Sequence, residues 1–413
     1  MAERIVLDEL DTAGVVVALD EASAVVLADS GLVDVRPVGR SRYRLVPNGA
    51  VGASRVGDAQ VEVRPKDKVG IGNVLFLLGY ARDPGYRAED VGAKSEDDLF
   101  AAIARALARQ AGRAVAGGLH RGYVAIDDAS RTVRGRIRLG DQIARRPGVW
   151  TPLEVSYDDY SADIAENQIL RTALRRVAEL PHLDAETARD VASLDAQMCE
   201  VGVLARGDAT PAWHPSRVNA HYQPALVLAE LVLRHASFSI DHGAIRAASF
   251  VVPMWKVYED FVAVALREAL KDFPGSTVEQ DPSSLDEWQP QVAAVRMDID
   301  IVHRVGGTPV IVADAKYKAA SSTGRYPNAD KYQMLAYCTA LGVRRAWLIY
   351  AQGGEPVLRR VRNTEIDLVE WPLDLSRTPD EILEQVAVLA REMARTSGLD
   401  YGAEDPLVHA GRG

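Results

Sequence analysis

Residues 295–318, VRMDIDIVHRVGGTPVIVADAKYK, organise the C-terminal half of the chain. Apolar and polar side chains alternate before a Gly-Gly-Thr sequence, at 295–301, and again after it, at 313–316. This alternation predicts two strands, at about 292–303 and 309–317, joined by a short hairpin loop at residues 306–308. The continuous apolar run at 310–313 indicates that the second strand is central and buried.

Three carboxylates and one ammonium on these two strands are of interest. Side chains two residues apart in a strand point to the same face, so Asp298 shares a face with Asp300, and Asp314 shares a face with Lys316. A three-residue loop at 306–308 would place Asp300 opposite Asp314, and Asp298 opposite Lys316. A two-residue loop would shift the register and move the carboxylates to opposite faces.

These residues have the chemistry that phosphodiester hydrolysis needs. Mg²⁺ prefers oxygen ligands and keeps several waters, and a bound metal lowers the pKa of water and polarises a phosphate. Asp300 and Asp314 are therefore candidate Mg²⁺ ligands. The ammonium of Lys316 can orient the attacking water or offset charge on the phosphate. The alternative is an exposed ion pair, but charges at the end of a buried strand are costly without a function.

The flanking segments supply further candidate site residues. The expected order of elements is α-β-β-α-β: a helix at 254–272, a polar loop at 274–290, the two strands, a helix at 329–341 and a strand at 346–350. Glu259 on the first helix can direct a third carboxylate toward the metal, or it can be an ordinary surface residue. Gln333 and Tyr337 are four residues apart and so share one face of the second helix, where packing residues are the alternative.

The N-terminal half has a different pattern. Its expected elements are short strands in residues 1–66, helices near 74–80 and at 97–116, two strands around an Asp127–Asp128 turn within 117–146, and helices across 160–236. We therefore predict an α+β protein with three regions. These are a β-rich domain at 1–150, a helical connecting region at 151–240 and an α/β domain at 241–413.

Residues 131–146 contain a basic cluster of arginines. Its members are Arg131, Arg134, Arg136, Arg138, Arg145 and Arg146. Two interpretations stay open: a solvated strand face whose charges are offset by acids elsewhere, or a surface that contacts phosphates or a protein partner.

Composition excludes several classes of protein. The 413 residues carry a net charge of -10, so any contact with nucleic acid needs a local basic surface or a partner that delivers the chain. No uncharged apolar run is long enough to span a membrane, and the N-terminal residues lack the regions of a signal peptide, so a cytoplasmic protein without membrane contact is expected. Two cysteines cannot form a disulfide framework. The chain lacks a G-x-x-x-x-G-K-[ST] motif and is not expected to hydrolyse nucleotides itself.

At the candidate residues the chain resembles the McrC family, the nuclease subunit of McrBC-type restriction systems, whose nuclease half is of the PD-(D/E)xK type. The family's successive motifs are L-F-E-x-F-V, P-D-I, D-A-K-Y-K and Q-M-x-A-Y, which this sequence matches at residues 257–262, 299–301, 314–318 and 333–337. Weaker likeness continues upstream, at residues 63–66, 118–123, 134–136 and 157–167. One departure is Ile299, which stands where the family usually has proline.

The resemblance implies a restriction-endonuclease-like domain at 241–413 with Glu259, Asp300 and Asp314 as metal ligands. Lys316, Gln333 and Tyr337 would complete the catalytic group. It also implies a Mg²⁺-dependent DNA endonuclease that uses its N-terminal domain to bind and stimulate a hexameric McrB-like AAA+ GTPase. Two alternatives are a non-catalytic activator of a nucleotide-hydrolysing motor and a nuclease that acts on RNA or branched DNA.

Overall fold

The computed structural model describes residues 3–65, 69–87, 99–180, 183–239, 247–287, 291–317 and 328–399. Two lysines of the family-like motifs, Lys66 and Lys318, lie outside the described residues. All six candidate site residues lie within them. None of the described helices is both long enough and apolar enough to cross a membrane.

The first part of the chain contains β1 (Glu3–Asp8), β2 (Val15–Ala18), α1 (Glu21–Asp29), β3 (Val33–Gly39), β4 (Arg42–Pro47), β5 (Ala50–Val56), β6 (Ala59–Arg64) and α2 (Ile71–Arg82). The middle contains α3 (Leu99–Val115), β7 (Gly122–Ser130), β8 (Arg136–Ile137), α4 (Leu139–Arg145), β9 (Leu153–Ser161), α5 (Ala165–Ala178), α6 (Ala185–Gln197), α7 (Gln223–His235) and β10 (Ala236–Ser239). The C-terminal part contains β11 (Ala247–Pro253), α8 (Met254–Ala269), β12 (Ser276–Ser284), β13 (Arg296–Val305), β14 (Thr308–Lys316), α9 (Asn328–Leu341), β15 (Arg345–Tyr350), β16 (Val357–Arg360), β17 (Asp367–Pro372) and α10 (Pro379–Thr396). The mixture of helices and sheets confirms the predicted α+β class.

The chain divides into two compact units, of which the first combines residues 1–96 with 239–413 and the second is residues 97–238. This grouping differs from the expected boundary at residue 150. The reason is long-range strand pairing: β5 pairs antiparallel with β11, and α2 packs against α8. The N-terminal strands therefore share a sheet and a helical layer with the C-terminal part. The expected boundary at residue 240 lies close to the observed one.

The C-terminal sheet of the first unit has the strand order β12-β13-β14-β15-β17-β16. β13 and β14 form an antiparallel hairpin, and β14 pairs in parallel with β15. α9 packs on this sheet, and the core between them includes Val302, Val312, Met334 and Leu348. β14 is therefore a central strand with a buried apolar run, as the sequence predicts.

The predicted polar loop at 274–290 is wrong, because residues 276–284 form β12 and pair along β13. β12 is an edge strand, and much of it is exposed. An edge strand with an exposed face keeps polar side chains. The apolar alternation that marks a half-buried strand is therefore weak in its sequence.

The second unit contains the helices α3, α5, α6 and α7 and the three-stranded sheet β7-β9-β8. The predicted turn at Asp127–Asp128 is wrong, since both residues lie inside β7 and pair with Ser156 and Val155 of β9. β7 pairs with β9, and not with β8, the strand that follows it directly. Gly135 lies in the stretch that leads from β7 to β8, with a φ of 64°, and a Cβ there would lie 2.3 Å from a backbone oxygen of β9.

Candidate functional site

The β13–β14 hairpin sets the relative positions of the site's carboxylates. Its turn is the pair Gly306–Gly307, with φ values of 57° and 85°, so the loop has two residues and not the expected three. A β-bulge between His303 and Arg304 shifts the register by one residue beyond the turn. The bulge cancels the shift that a two-residue loop would cause.

The register that results is the predicted one. The ladder ends at the pair Ile301–Ala313, and Asp300 and Asp314 are the next residues on the two strands. The backbone N–H of Ala315 donates to Oδ2 of Asp300 over 3.1 Å, which holds this carboxylate against β14. The predicted register is therefore confirmed up to Ile301–Ala313, although the three-residue loop on which it was based is wrong.

Asp314 and Lys316 form an ion pair at the end of β14. The Asp314 side chain is fully buried, the Lys316 side chain is 15% exposed, and Nζ of Lys316 lies 2.7 Å from Oδ2 of Asp314. Oδ1 of Asp314 has no hydrogen-bond partner among the described residues. A buried carboxylate oxygen without a partner is costly, so this atom is suited to bind a ligand.

The pKa values of the pair reflect burial and mutual charge. Burial, followed by the charge of Asp300, raises the pKa of Asp314 to about 7, although Lys316 acts in the opposite direction. Burial would lower the pKa of Lys316, but the combined charges of Asp314, Asp300 and Glu259 raise it. The site therefore carries more negative than positive charge, a state that an added cation would stabilise.

Glu259 faces the same group from α8. Burial and then the charge of Asp300 raise the pKa of this half-buried carboxyl, while Lys316 lowers it. The structure thus brings Glu259, Asp300, Asp314 and Lys316 into one electrostatic cluster. Asp298, by contrast, is exposed.

Gln333 and Tyr337 form a short hydrogen-bonded chain on α9. Nε2 of Gln333 donates to the hydroxyl of Tyr337 over 2.6 Å, and that hydroxyl donates to the backbone oxygen of Asp298 over 3.0 Å. Burial and the charge of Asp314 raise the pKa of Tyr337 to about 12. The phenol therefore stays protonated and holds α9 against β13.

One acidic residue near the site was not predicted from the sequence. Asp330, at the start of α9, is 3% exposed, and its negative charge contributes to the raised pKa of Asp314. The available signal was its spacing: Asp330 precedes Gln333 by three residues and so shares its helix face.

The donor chemistry suits a hard divalent cation. Carboxylates are the ligands that Mg²⁺ takes, and Oδ1 of Asp314 is without a partner among the residues described. Within the described ranges, however, no three His, Cys, Asp or Glu side chains already converge on one metal position. This is compatible with Mg²⁺, which is commonly held by one or two carboxylates, with waters and substrate phosphates completing its shell.

Many arginines of the basic cluster are neutralised by acids of the second unit. Arg134 pairs with Asp159 over 2.8 Å, Arg138 contacts Asp127 and Asp141, and Arg145 and Arg146 both pair with Glu154. These pairs favour the interpretation of an offset strand face. They weaken the interpretation of a surface that binds phosphates.

Comparison with known proteins agrees with the fold and with the sequence motifs. The family model described as "McrBC 5-methylcytosine restriction system component" matches residues 45–351. No curated protein matches the sequence.

Two solved structures, both from Thermococcus gammatolerans, are similar to this chain. One is described as a refined half-complex from a tetradecameric assembly of McrB AAA+ hexamers with bound McrC. It matches with a TM-score of 0.58 and 16% identity over 94% of this chain and all of that one (100%). A cryo-EM structure of the McrBC complex matches with a TM-score of 0.41 and 17% identity over 66% of this chain and 89% of that one. The first likeness supports a shared fold, and the family match covers most of the sequence. The chain therefore belongs to the McrBC 5-methylcytosine restriction system component family.

Proposed function

We propose that this chain is the DNA endonuclease subunit of a modification-dependent restriction system and that it hydrolyses phosphodiester bonds with Mg²⁺. The observation that carries the proposal is the buried Asp314–Lys316 pair at the end of a central strand, with Asp300 and Glu259 beside it and one Asp314 oxygen that has no described partner. A protein that served only as an adaptor would have no need for this costly group of buried charges.

Each residue of the cluster has a proposed role. Asp300 and Asp314 would hold Mg²⁺, with Glu259 as the third carboxylate. Bound there, Mg²⁺ would activate a water and polarise the scissile phosphate. Lys316 would orient that water or offset the charge that develops on the phosphate. Its raised pKa keeps the ammonium protonated at neutral pH.

The hydrogen-bonded chain on α9 would hold β13, the strand that carries Asp300, in position. Tyr337 holds the backbone of Asp298, two residues before Asp300 on the same strand, and Gln333 holds Tyr337. These contacts restrict the position of the strand that carries one proposed metal ligand. We therefore propose Gln333 and Tyr337 as supporting residues of the site.

We further propose that a hexameric McrB-like AAA+ GTPase recruits this chain to DNA and is stimulated by it. The solved assembly of similar fold is described as McrB AAA+ hexamers with bound McrC. A net charge of -10 favours delivery by a partner over direct coating of DNA.

A surface of the second unit fits a protein partner. Its large apolar side chains, between 57% and 79% exposed, are Tyr123, Val133, Leu139, Ile143, Trp150 and Tyr160. The rings of Tyr123 and Tyr160 contact each other with their centroids 5.3 Å apart and their planes inclined at 51°. Large apolar side chains with this degree of exposure are typical of surfaces that a protein partner covers.

The test is nicking of supercoiled DNA by the full chain with Mg²⁺, with and without an McrB-like AAA+ GTPase. We expect Mg²⁺-dependent nicking that the partner and GTP increase, and no nicking by Asp314→Asn. A chain that stimulates GTP hydrolysis but never cuts DNA would instead be an activator. Cleavage of RNA or branched DNA, and not of supercoiled DNA, in parallel reactions would identify a nuclease with a different substrate class.

A further inference from the structure

A side-chain contact joins the N-terminal sheet of the first unit to the end of β14. The hydroxyl of Tyr317, the residue after Lys316, donates to Oε2 of Glu9 over 2.9 Å. The two residues are 308 positions apart in the sequence. Such a contact is not needed to form either strand, so its effect is on how the two sheets are held together.

Glu9 is well placed to act as a fixed point. It follows β1, its backbone N–H donates to the oxygen of Arg64 over 2.9 Å, and the residue is only 6% exposed. A carboxylate removed from water is stabilised when hydroxyl or N–H groups donate to it. The hydrogen bond from Tyr317 therefore connects a buried, backbone-anchored carboxylate to the strand end.

Tyr317 also touches the second element that carries a proposed catalytic carboxylate. Its ring packs against Tyr258 of α8, with centroids 5.9 Å apart and planes inclined at 51°. Tyr258 is fully buried and directly precedes Glu259. Tyr317 thus stands between Glu9 and α8, next in sequence to Lys316.

We propose that Glu9 is a positioning residue of the nuclease centre: through Tyr317 it fixes the end of β14, which carries Lys316, and so links the N-terminal sheet to cleavage. This inference rests on the proposed function. It implies that the N-terminal sheet does more than stabilise the fold, because a displacement of β1 would reach the strand end that carries Lys316 through the hydrogen bond between Glu9 and Tyr317.

The test uses full-length chains that carry Tyr317→Phe, Glu9→Ala, Glu9→Gln or Tyr317→Phe with Glu9→Ala. Tyr222→Phe is the matched control, because it removes a tyrosine hydroxyl that accepts the His120 N–H in the second unit. Two quantities are measured for each: amide hydrogen exchange of the peptide covering 308–317, and the nicking rate at saturating DNA and Mg²⁺.

We expect faster exchange in the 308–317 peptide and a nicking rate lower by about tenfold for Tyr317→Phe and Glu9→Ala, the range over which groups that orient a metal site act. Glu9→Gln, which keeps an acceptor oxygen, should recover part of both. The double variant should be no worse than either single one, since both remove the same hydrogen bond. The control should change neither quantity.

Hydrogen exchange needs no activity, so it decides the linkage even if the wild-type chain fails to nick DNA and the proposed function fails. Unchanged exchange at 308–317 in both Tyr317→Phe and Glu9→Ala overturns the linkage. Faster exchange together with undiminished nicking overturns the positioning role. Additive losses in the double variant overturn the shared hydrogen bond as their cause.

Discussion

Replacing Asp314 with asparagine should stabilise the metal-free protein while abolishing its cleavage activity. Burial raises the pKa of Asp314 from 3.8 to about 7. Between these values the folded chain holds a proton that the unfolded chain has released, so stability falls as the pH rises through this window. Below pH 3.8 both forms are protonated and the effect vanishes, whereas above pH 7 the full cost is present.

The size of the effect follows from the same shift. At about 1.4 kcal/mol for each pH unit, the ionised carboxylate costs the folded state on the order of 4 kcal/mol at pH 8. A buried asparagine amide without hydrogen-bond partners at the same position costs about 1–2 kcal/mol, which offsets part of this stabilisation. We therefore expect a net stabilisation of roughly 2–3 kcal/mol, or a melting temperature about 2–4 °C higher.

The assay is thermal melting of wild type and Asp314→Asn in EDTA from pH 5 to 8, followed by the same series with Mg²⁺. The difference in melting temperature between the two proteins should shrink toward pH 5, because Asp314 of the wild type becomes protonated there whereas asparagine does not titrate. Mg²⁺ should stabilise the wild type more than the variant, since a ligand stabilises the state that binds it. A variant that melts at or below wild type in EDTA at pH 8, with a difference independent of pH, refutes the reasoning.

Three further predictions concern other parts of the molecule. Asp300→Ala should reduce nicking by orders of magnitude, whereas Asp298→Ala, at an exposed position, should reduce it about tenfold to a hundredfold. Plasmid nicking as a function of Mg²⁺ concentration measures both effects, and the reverse order would mean that the ligand is Asp298. Tyr337→Phe removes the hydroxyl bonded to the backbone of β13 and should lower the free energy of unfolding by about 1 kcal/mol, read from urea denaturation; an unchanged midpoint contradicts the supporting role. Trp150→Ala, at a side chain that is 79% exposed, should weaken co-purification with the AAA+ partner about tenfold or more. The control Leu358→Ala, at a side chain that is 60% exposed on β16 of the other unit, should not, and equal retention of both variants counts against the proposed docking surface.

Much of the candidate site could be predicted from the sequence because its signals are local. Alternation with a period of two residues identified β13 and β14 and placed their acids on one face, since side chains on a strand alternate by geometry alone. Helical spacing grouped Gln333 with Tyr337. The motif likeness at 257–262 pointed to Glu259, which the structure places in the same electrostatic cluster.

The tertiary structure decided which strands pair and how the register is kept. The bulge beside His303 restores the register after a two-residue turn, and a single inserted residue leaves no clear mark in the alternation of polar and apolar residues. The edge strand β12 could not be recognised because most of its side chains are polar and its one buried residue, Asp281, is charged. A short strand does not encode its distant partner, so the pairing of β5 with β11 and the contact of Glu9 with Tyr317 depend on the folded chain bringing together segments far apart in the sequence.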